Sequence, residues 1–163
     1  MQRQLLRDGR VCVDDWTFLH DTENAGARDR IIISFERWFT ERDNWSAYAG
    51  RLGVALLPAD KIERLAPDLA HFELVAAVFP GPSDGRGYTQ GRLLRERYHF
   101  TGELRAAGYV RRDQLFFLAR CGFNSFQLEV PEIATAMSAF TTFSAGYQPS
   151  NDEGLAGALK HRC

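Results

Sequence analysis

Lysine is almost missing from this chain. Lys61 and Lys160 are the only two, and every other basic residue is an arginine. High-GC codon usage accounts for that bias as readily as bidentate anion recognition does. Cysteine is scarce as well: Cys12, Cys121 and Cys163 are widely spaced and odd in number. No C-x-x-C pair exists, so neither a zinc ribbon nor a cysteine-ligated iron–sulfur cluster is supported, and a reducing cytoplasm fits best. His20, His71, His99 and His161 show no paired ligand spacing. The expectation is therefore a colourless protein with no metal and no bound cofactor. No apolar run approaches the roughly 20 residues of a membrane span. The N-terminus, with Arg3, Arg7 and Asp8, has no signal-peptide core, so a cytoplasmic location is expected. Charge of either sign is not in excess. The net charge of −1 argues against a general nucleic-acid binder.

What is present is an ordinary globular composition, 45% apolar over 163 residues, most economically read as one domain. Residues 1–30 form a preface and loop: Asp8-Gly9 is a turn signal between β-rich stretches, and Leu5 to Leu19 reads as a small antiparallel unit. Asp14 and Asp15 read as a solvated turn. From residue 31 to 145 a strand–helix rhythm repeats. Ile31-Ile32-Ile33 is a buried strand, Ser34 an N-cap, and Phe35 to Ala49 a helix ending at Gly50, with Trp38, Trp45 and Tyr48 as core. Leu52 to Leu57 is the next strand, and Asp60 caps a helix to about Phe72, broken at Pro67. Leu74 to Phe79, Glu103 to Gly108 and Phe126 to Val130 complete the strands. Helices are expected over Tyr88 to Tyr98, Val110 to Arg120 and from Pro131 to about Phe143. Residues 146–163 read as a loose polar tail.

Five successive β-α units predict an α/β fold with a mostly parallel sheet and right-handed crossovers. A flavodoxin-like, doubly wound sandwich is the first expectation. The alternative is a half (β/α) barrel, completed by a second copy of the chain.

The informative stretch is Asp84 to Phe123. Gly85 and Gly87 would let backbone N–H groups approach a ligand, with Arg86 and Arg92 supplying charge. Gly85, Gly87 and Gly91 run one residue too long for a dinucleotide fingerprint, and no G-K-[ST] follows, so there is no P-loop. A connector without a ligand is the plain alternative. Glu103 and Arg105 share one face of a strand: either a structural ion pair, or an arginine presented to an anion and oriented by the glutamate. Asp113 stands in a first helical turn, where capping is the simpler role. Between Asp84 and Arg120 eight arginines face four acidic residues. A small inorganic anion is thus expected where Gly85 to Gly87 and the Tyr88 helix face Arg105. Cys121 at a helix C-terminus is a poor nucleophile, because the dipole there disfavours a thiolate.

Three segments carry a family resemblance: DGRGYTQGRLLRER, TGELRAAG and RRDQLFFLARCGF. With weaker agreement back through LGVALLP to VDDW, the chain resembles the bacterial family catalogued as domain of unknown function 934. Its members are often labelled oxidoreductases of sulfite reduction. The resemblance implies a place in assimilatory sulfite reduction and cysteine biosynthesis, and sulfite reductase or another sulfur-assimilation enzyme as partner. It supplies no catalytic residues. Tyr109, Gly91 and Asn124 stand where Asp, Ala and Asp are usual. Three functions follow: a non-catalytic accessory protein binding an anion or a partner, an oxidoreductase with a borrowed redox cofactor, or a structural or regulatory homodimer.

Overall fold

The computed structural model describes residues 3–129 and 132–133. Eight strands form one sheet: β1 (Arg3–Arg7), β2 (Arg10–Cys12), β3 (Thr17–Phe18), β4 (Arg30–Ser34), β5 (Arg51–Leu56), β6 (Leu74–Phe79), β7 (Glu103–Gly108) and β8 (Ser125–Glu129). Their order across the sheet is β2-β1-β8-β7-β6-β5-β4-β3. From β3 to β8 every neighbouring pair is parallel, and β1 adds antiparallel to β8 with β2 antiparallel to β1.

The strands are where the sequence placed them because β-branched and aliphatic residues alternate between two covered faces. On one face lie Ile31, Ile33, Val54, Leu56, Val75, Ala77, Phe79, Leu104, Ala106, Phe126 and Leu128. They join one core cluster with helical Phe35, Trp38, Ile62, Leu65, Leu94, Leu115 and Leu118. The other face carries a small cluster of Ile32, Ala55, Leu74 and Ala76, with Trp16 and Val78 packed against it and, among the described residues, no helix. All helices among the described residues therefore sit on one side of the sheet. They are α1 (Phe35–Thr40), α2 (Arg42–Ser46), α3 (Ile62–Leu65), α4 (Arg86–Arg92) and α5 (Leu115–Arg120).

That one-sidedness settles the winding. Strands β4 to β8 follow one another across the sheet without reversal, so every crossover steps the same way. A doubly wound sheet needs a point where the order reverses, and the switch-point crevice of such folds is not formed here. The expected flavodoxin-like order is thus replaced by the half-barrel. Four strand–helix–strand crossovers lie within the described residues. The helix expected from Pro131 lies outside them beyond Glu132 and Ile133.

The sheet is curled, and the chain itself measures how far. β2 and β3 are opposite edges of the sheet, yet only Val13 to Trp16 separate them in sequence. Seven strand spacings laid flat would put the edges about 34 Å apart. Five residue steps from Cys12 to Thr17 span at most about 18 Å. The helix-free face must therefore be concave, and Val13 to Trp16 cross it as a strap. Gly53, Ala55 and Ala76 keep that face thin. A Cβ at position 53 would meet Ile32 and Leu74 at 3.2 Å.

Several local expectations need correction. The preface is a hairpin only as far as Cys12, with Asp8 and Gly9 both at positive φ (49° and 75°), a two-residue turn whose twist matches the strands. β3 does not join it; it pairs parallel with β4 on the far edge. The helix from Phe35 is two short helices, parted where Glu41 leaves the helical region and Thr40 Oγ1 donates back to the Glu36 carbonyl at 2.8 Å. Asp60 does not cap α3. Its carboxylate accepts from Leu57 N at 2.7 Å and closes the loop, while Pro67 sits in a 3-10 turn as the break predicted. After α4 the helix widens into a π turn, Leu93–Arg97, closed by Tyr98 N donating to Leu93 O at 3.1 Å.

Candidate functional site

The glycine-rich loop after β6 already holds an anion of its own. Asp84 accepts the Arg86 backbone N–H at 3.2 Å and both edges of the Arg86 guanidinium at 3.0 and 2.7 Å. Arg86 in turn holds the Asp84 carboxyl below the ordinary carboxylate range. Gly87 and Gly91 are used for packing, whereas Gly85 has open space beside it. A Cβ on Gly87 would meet the Phe79 ring at 2.5 Å, and one on Gly91 the Phe123 ring at 2.3 Å. They let α4 lie against aromatic side chains of the core. Gln90, the residue that spoils the dinucleotide fingerprint, ties α4 to the carbonyls of Leu57 and Asp60 at 2.9 and 3.2 Å.

Arg105 does not face this loop. It stands opposite Ala76 in the register, three residues before Gly108 pairs with Phe79, and it projects from the concave face, whereas Gly87 packs on the helical face. Its guanidinium is spent on protein carboxylates. Nε and Nη2 donate to Glu103 Oε1 at 3.0 and 2.8 Å, and Nη1 donates to both oxygens of Asp14 at 3.0 and 2.9 Å. Glu103 Oε2 accepts from Arg7 Nη1 at 3.3 Å. Arg105 is 2% exposed. The expected solvated turn at Asp14 is thus the anchor of the strap, a contact across 91 residues that no local pattern signals.

Of the other residues singled out by sequence, Arg92 pairs along its own helix with Glu96 at 3.4 Å, and Asp113 lies 4.0 Å from Arg111 on the surface. Only Glu103 and Arg105 are brought together. Arg95 is used structurally too. Its guanidinium donates to the carbonyls of Gly122 (2.9 Å), Gly102 (3.0 Å) and Phe100, and burial pushes its pKa down. Gly122 ends α5 at φ 97°, as expected of a C′ glycine, and the Arg95 side chain fills the space where its Cβ would be. Cys121 is the C-cap of α5, and burial raises its thiol pKa. Among the described residues no group of His, Cys, Asp and Glu is arranged to hold a metal, and no helix is long and apolar enough to cross a membrane.

In barrel-type sheets functional loops gather at the carboxyl ends of the strands. Here that edge carries a cleft of about 500 Å³ lined by Val78, Pro80, Tyr109, Arg111, Glu129 and Glu132, among others. Gly108 makes it possible. At φ 86° it lets Tyr109 N donate to the Phe79 carbonyl at 2.7 Å, and the Tyr109 hydroxyl then accepts from Arg111 Nη1 at 3.2 Å. Two glutamates to one arginine make the cleft a poor host for a free anion. Beside it the same edge exposes apolar side chains: Leu57 past the end of β5, and Phe116 and Phe117 in the first turn of α5. Phe117 packs against Tyr88 of α4 with ring centroids 5.0 Å apart and the planes tilted by 56°, and the Arg120 guanidinium lies 5.7 Å over the Phe116 ring. The sequence reading aimed at Gly85 to Gly87 and Arg105 and did not single out these exposed rings. The paired Phe116-Phe117, adjacent rings that cannot both face the core, was the available signal.

A search of curated proteins returns no match. A family profile does match, over residues 53–156, more than half of the chain and including α4, β7 and α5. The chain belongs to the family described as bacterial protein of unknown function (DUF934).

Proposed function

We propose that the protein is a non-catalytic accessory protein of assimilatory sulfite reduction that acts by binding a partner enzyme, sulfite reductase, through the carboxyl edge of its sheet. The pathway comes from the family resemblance, and the surface from the geometry. The observation that carries the binding role is the aromatic face of Tyr88, Phe116 and Phe117, with Phe117 55% exposed. Aromatic rings beside arginines are the composition enriched at the centres of protein interfaces, and a cluster of large exposed apolar side chains at one edge is unusual on a surface with no partner.

An accessory rather than catalytic role is supported by how the polar residues are used. Arg86, Arg92 and Arg105, the arginines that sequence reasoning aimed at a ligand, are bound by the protein's own carboxylates. Cys121 is buried with its pKa raised, which removes the best placed nucleophile of the segment. Titration calorimetry of purified sulfite reductase against the wild type and Phe117→Asp tests the proposal. Binding by the wild type and its loss in the variant, with an unchanged melting temperature, is the expected result. Absence of binding by the wild type removes it.

A further inference from the structure

The geometry points to Asp14 as an intramolecular ligand. Its carboxylate fills an oxyanion subsite built on the concave face by Glu103, Arg105 and Ser125, and a small oxyanion presenting two oxygens, a carboxylate or sulfite, competes with it for Arg105.

The two halves of this contact are built differently. The sheet half is buried and fixed. Glu103 takes the Nε and Nη2 edge of Arg105 and is itself held by Arg7, so the guanidinium has one orientation and Nη1 is left to chelate. Ser125 is the direct register partner of Arg105 on β8, shares its face and is fully buried, and its Oγ has no hydrogen-bond partner. A buried hydroxyl without a partner costs free energy that an arriving oxyanion would recover.

The strap half is loose. Val13 is 89% exposed, and the Asp14 side chain keeps 28% of its surface in solvent. Among the described residues, no backbone–backbone hydrogen bond is made by Val13 to Trp16. Three side chains hold the strap to the sheet, Asp14 on Arg105, Asp15 on Arg30 and Trp16 on the small concave cluster, and within the strap Trp16 N donates to Asp14 Oδ1 at 3.2 Å. A tethered carboxylate of this kind acts at an effective concentration of the order of millimolar, so an external anion displaces it only at comparable concentrations. The wild type should accordingly bind such anions weakly, and removal of the Asp14 carboxylate should unmask the site. This inference does not rest on the partner surface, which lies at the carboxyl edge.

Asp14→Ala, Asp14→Asn and Asp14→Ala/Ser125→Ala decide it, with formate and sulfite as probes against chloride at matched ionic strength. Calorimetry should give Asp14→Ala a Kd for formate roughly tenfold or more below that of the wild type. Asp14→Asn, whose amide still fills the space, should gain nothing, and loss of the Ser125 hydroxyl should weaken the binding gained. Equal response of Asp14→Ala to formate, sulfite and chloride overturns the inference. Should Asp14→Ala fail to fold, the wild type decides alone. Trp38 and Trp45 are buried, so acrylamide quenching reports chiefly on Trp16. Quenching that rises with formate but not with chloride means the strap is displaced, and quenching that stays flat overturns the inference.

Discussion

Arg105 on β7 holds both carboxylate oxygens of Asp14, 91 residues earlier, at 3.0 and 2.9 Å across the concave face of the sheet. That contact pins Val13 to Trp16, the link between the two sheet edges, onto the concave face. Arg105 is first of all scaffold, buried at 2% exposure and bonded to two carboxylates.

Arg105→Ala should therefore destabilise the fold strongly. It leaves Glu103, 11% exposed, beside Asp14 without the charge that joins them. Breaking a buried pair from one side costs about 3–5 kcal/mol. Urea unfolding should show that loss, and a cost below about 1 kcal/mol would mean the network is dispensable.

Gly108→Ala should cost on the order of 1–3 kcal/mol for the left-handed backbone alone. The added Cβ would also meet the Phe79 carbonyl oxygen at 2.3 Å, so the β6–β7 ends must part. Thermal melts measure the cost. Gly85→Ala, with only Tyr88 at 3.9 Å, should be nearly silent.

Asp8 supplies the pH dependence. Burial raises its carboxyl above the ordinary value, with Arg7 and Arg95 pulling the other way and Glu103 adding to the rise. A carboxyl raised in the folded state binds its proton more tightly there, so stability falls as pH climbs from the unfolded value through the folded one. Asp8→Asn mimics the protonated form and tolerates the positive φ of 49°. It should raise the melting temperature at pH 7 by an amount worth less than about 1 kcal/mol at this half-exposed site. The gain should vanish below about pH 4. A variant less stable than the wild type at pH 7 would contradict this.

Cys121 and Cys12 should separate in reactivity. The Cys121 thiol is 4% exposed and raised in pKa, while Cys12 is part-exposed in β2. Peptide mapping after brief iodoacetamide treatment at pH 8 should find Cys12 labelled well ahead of Cys121. The reverse order would reopen a nucleophilic role for Cys121.

The parallel strands were legible because their signal is local. Ile31-Ile32-Ile33 and Leu74 to Phe79 are apolar on both faces, which only a covered sheet explains. The winding was not legible, since nothing in a β-α unit says whether the next strand is added on the same side or the opposite one. That the Gly85 to Gly87 loop and Arg105 lie on opposite faces was not legible for a related reason. Gly85, Gly87 and Arg86 match the chemistry of an anion loop, but the Phe79 ring that occupies the space at Gly87 and the Asp84 that occupies Arg86 are visible only once α4 is set on the sheet. Glu103 and Arg105 were legible as a pair by their spacing of two. Asp14, the third member, required knowledge that a strap brings the preface across the sheet.

The most direct test of the central claim is a binding measurement between the purified protein and purified sulfite reductase, with Phe117→Asp and Val13→Asp as paired variants. Val13 is 89% exposed on the strap and belongs to neither α4 nor α5, so it controls for charge. The account predicts saturable binding by the wild type and Val13→Asp, and its loss in Phe117→Asp with an unaltered melt. Equal binding by all three, or none by the wild type, would contradict it.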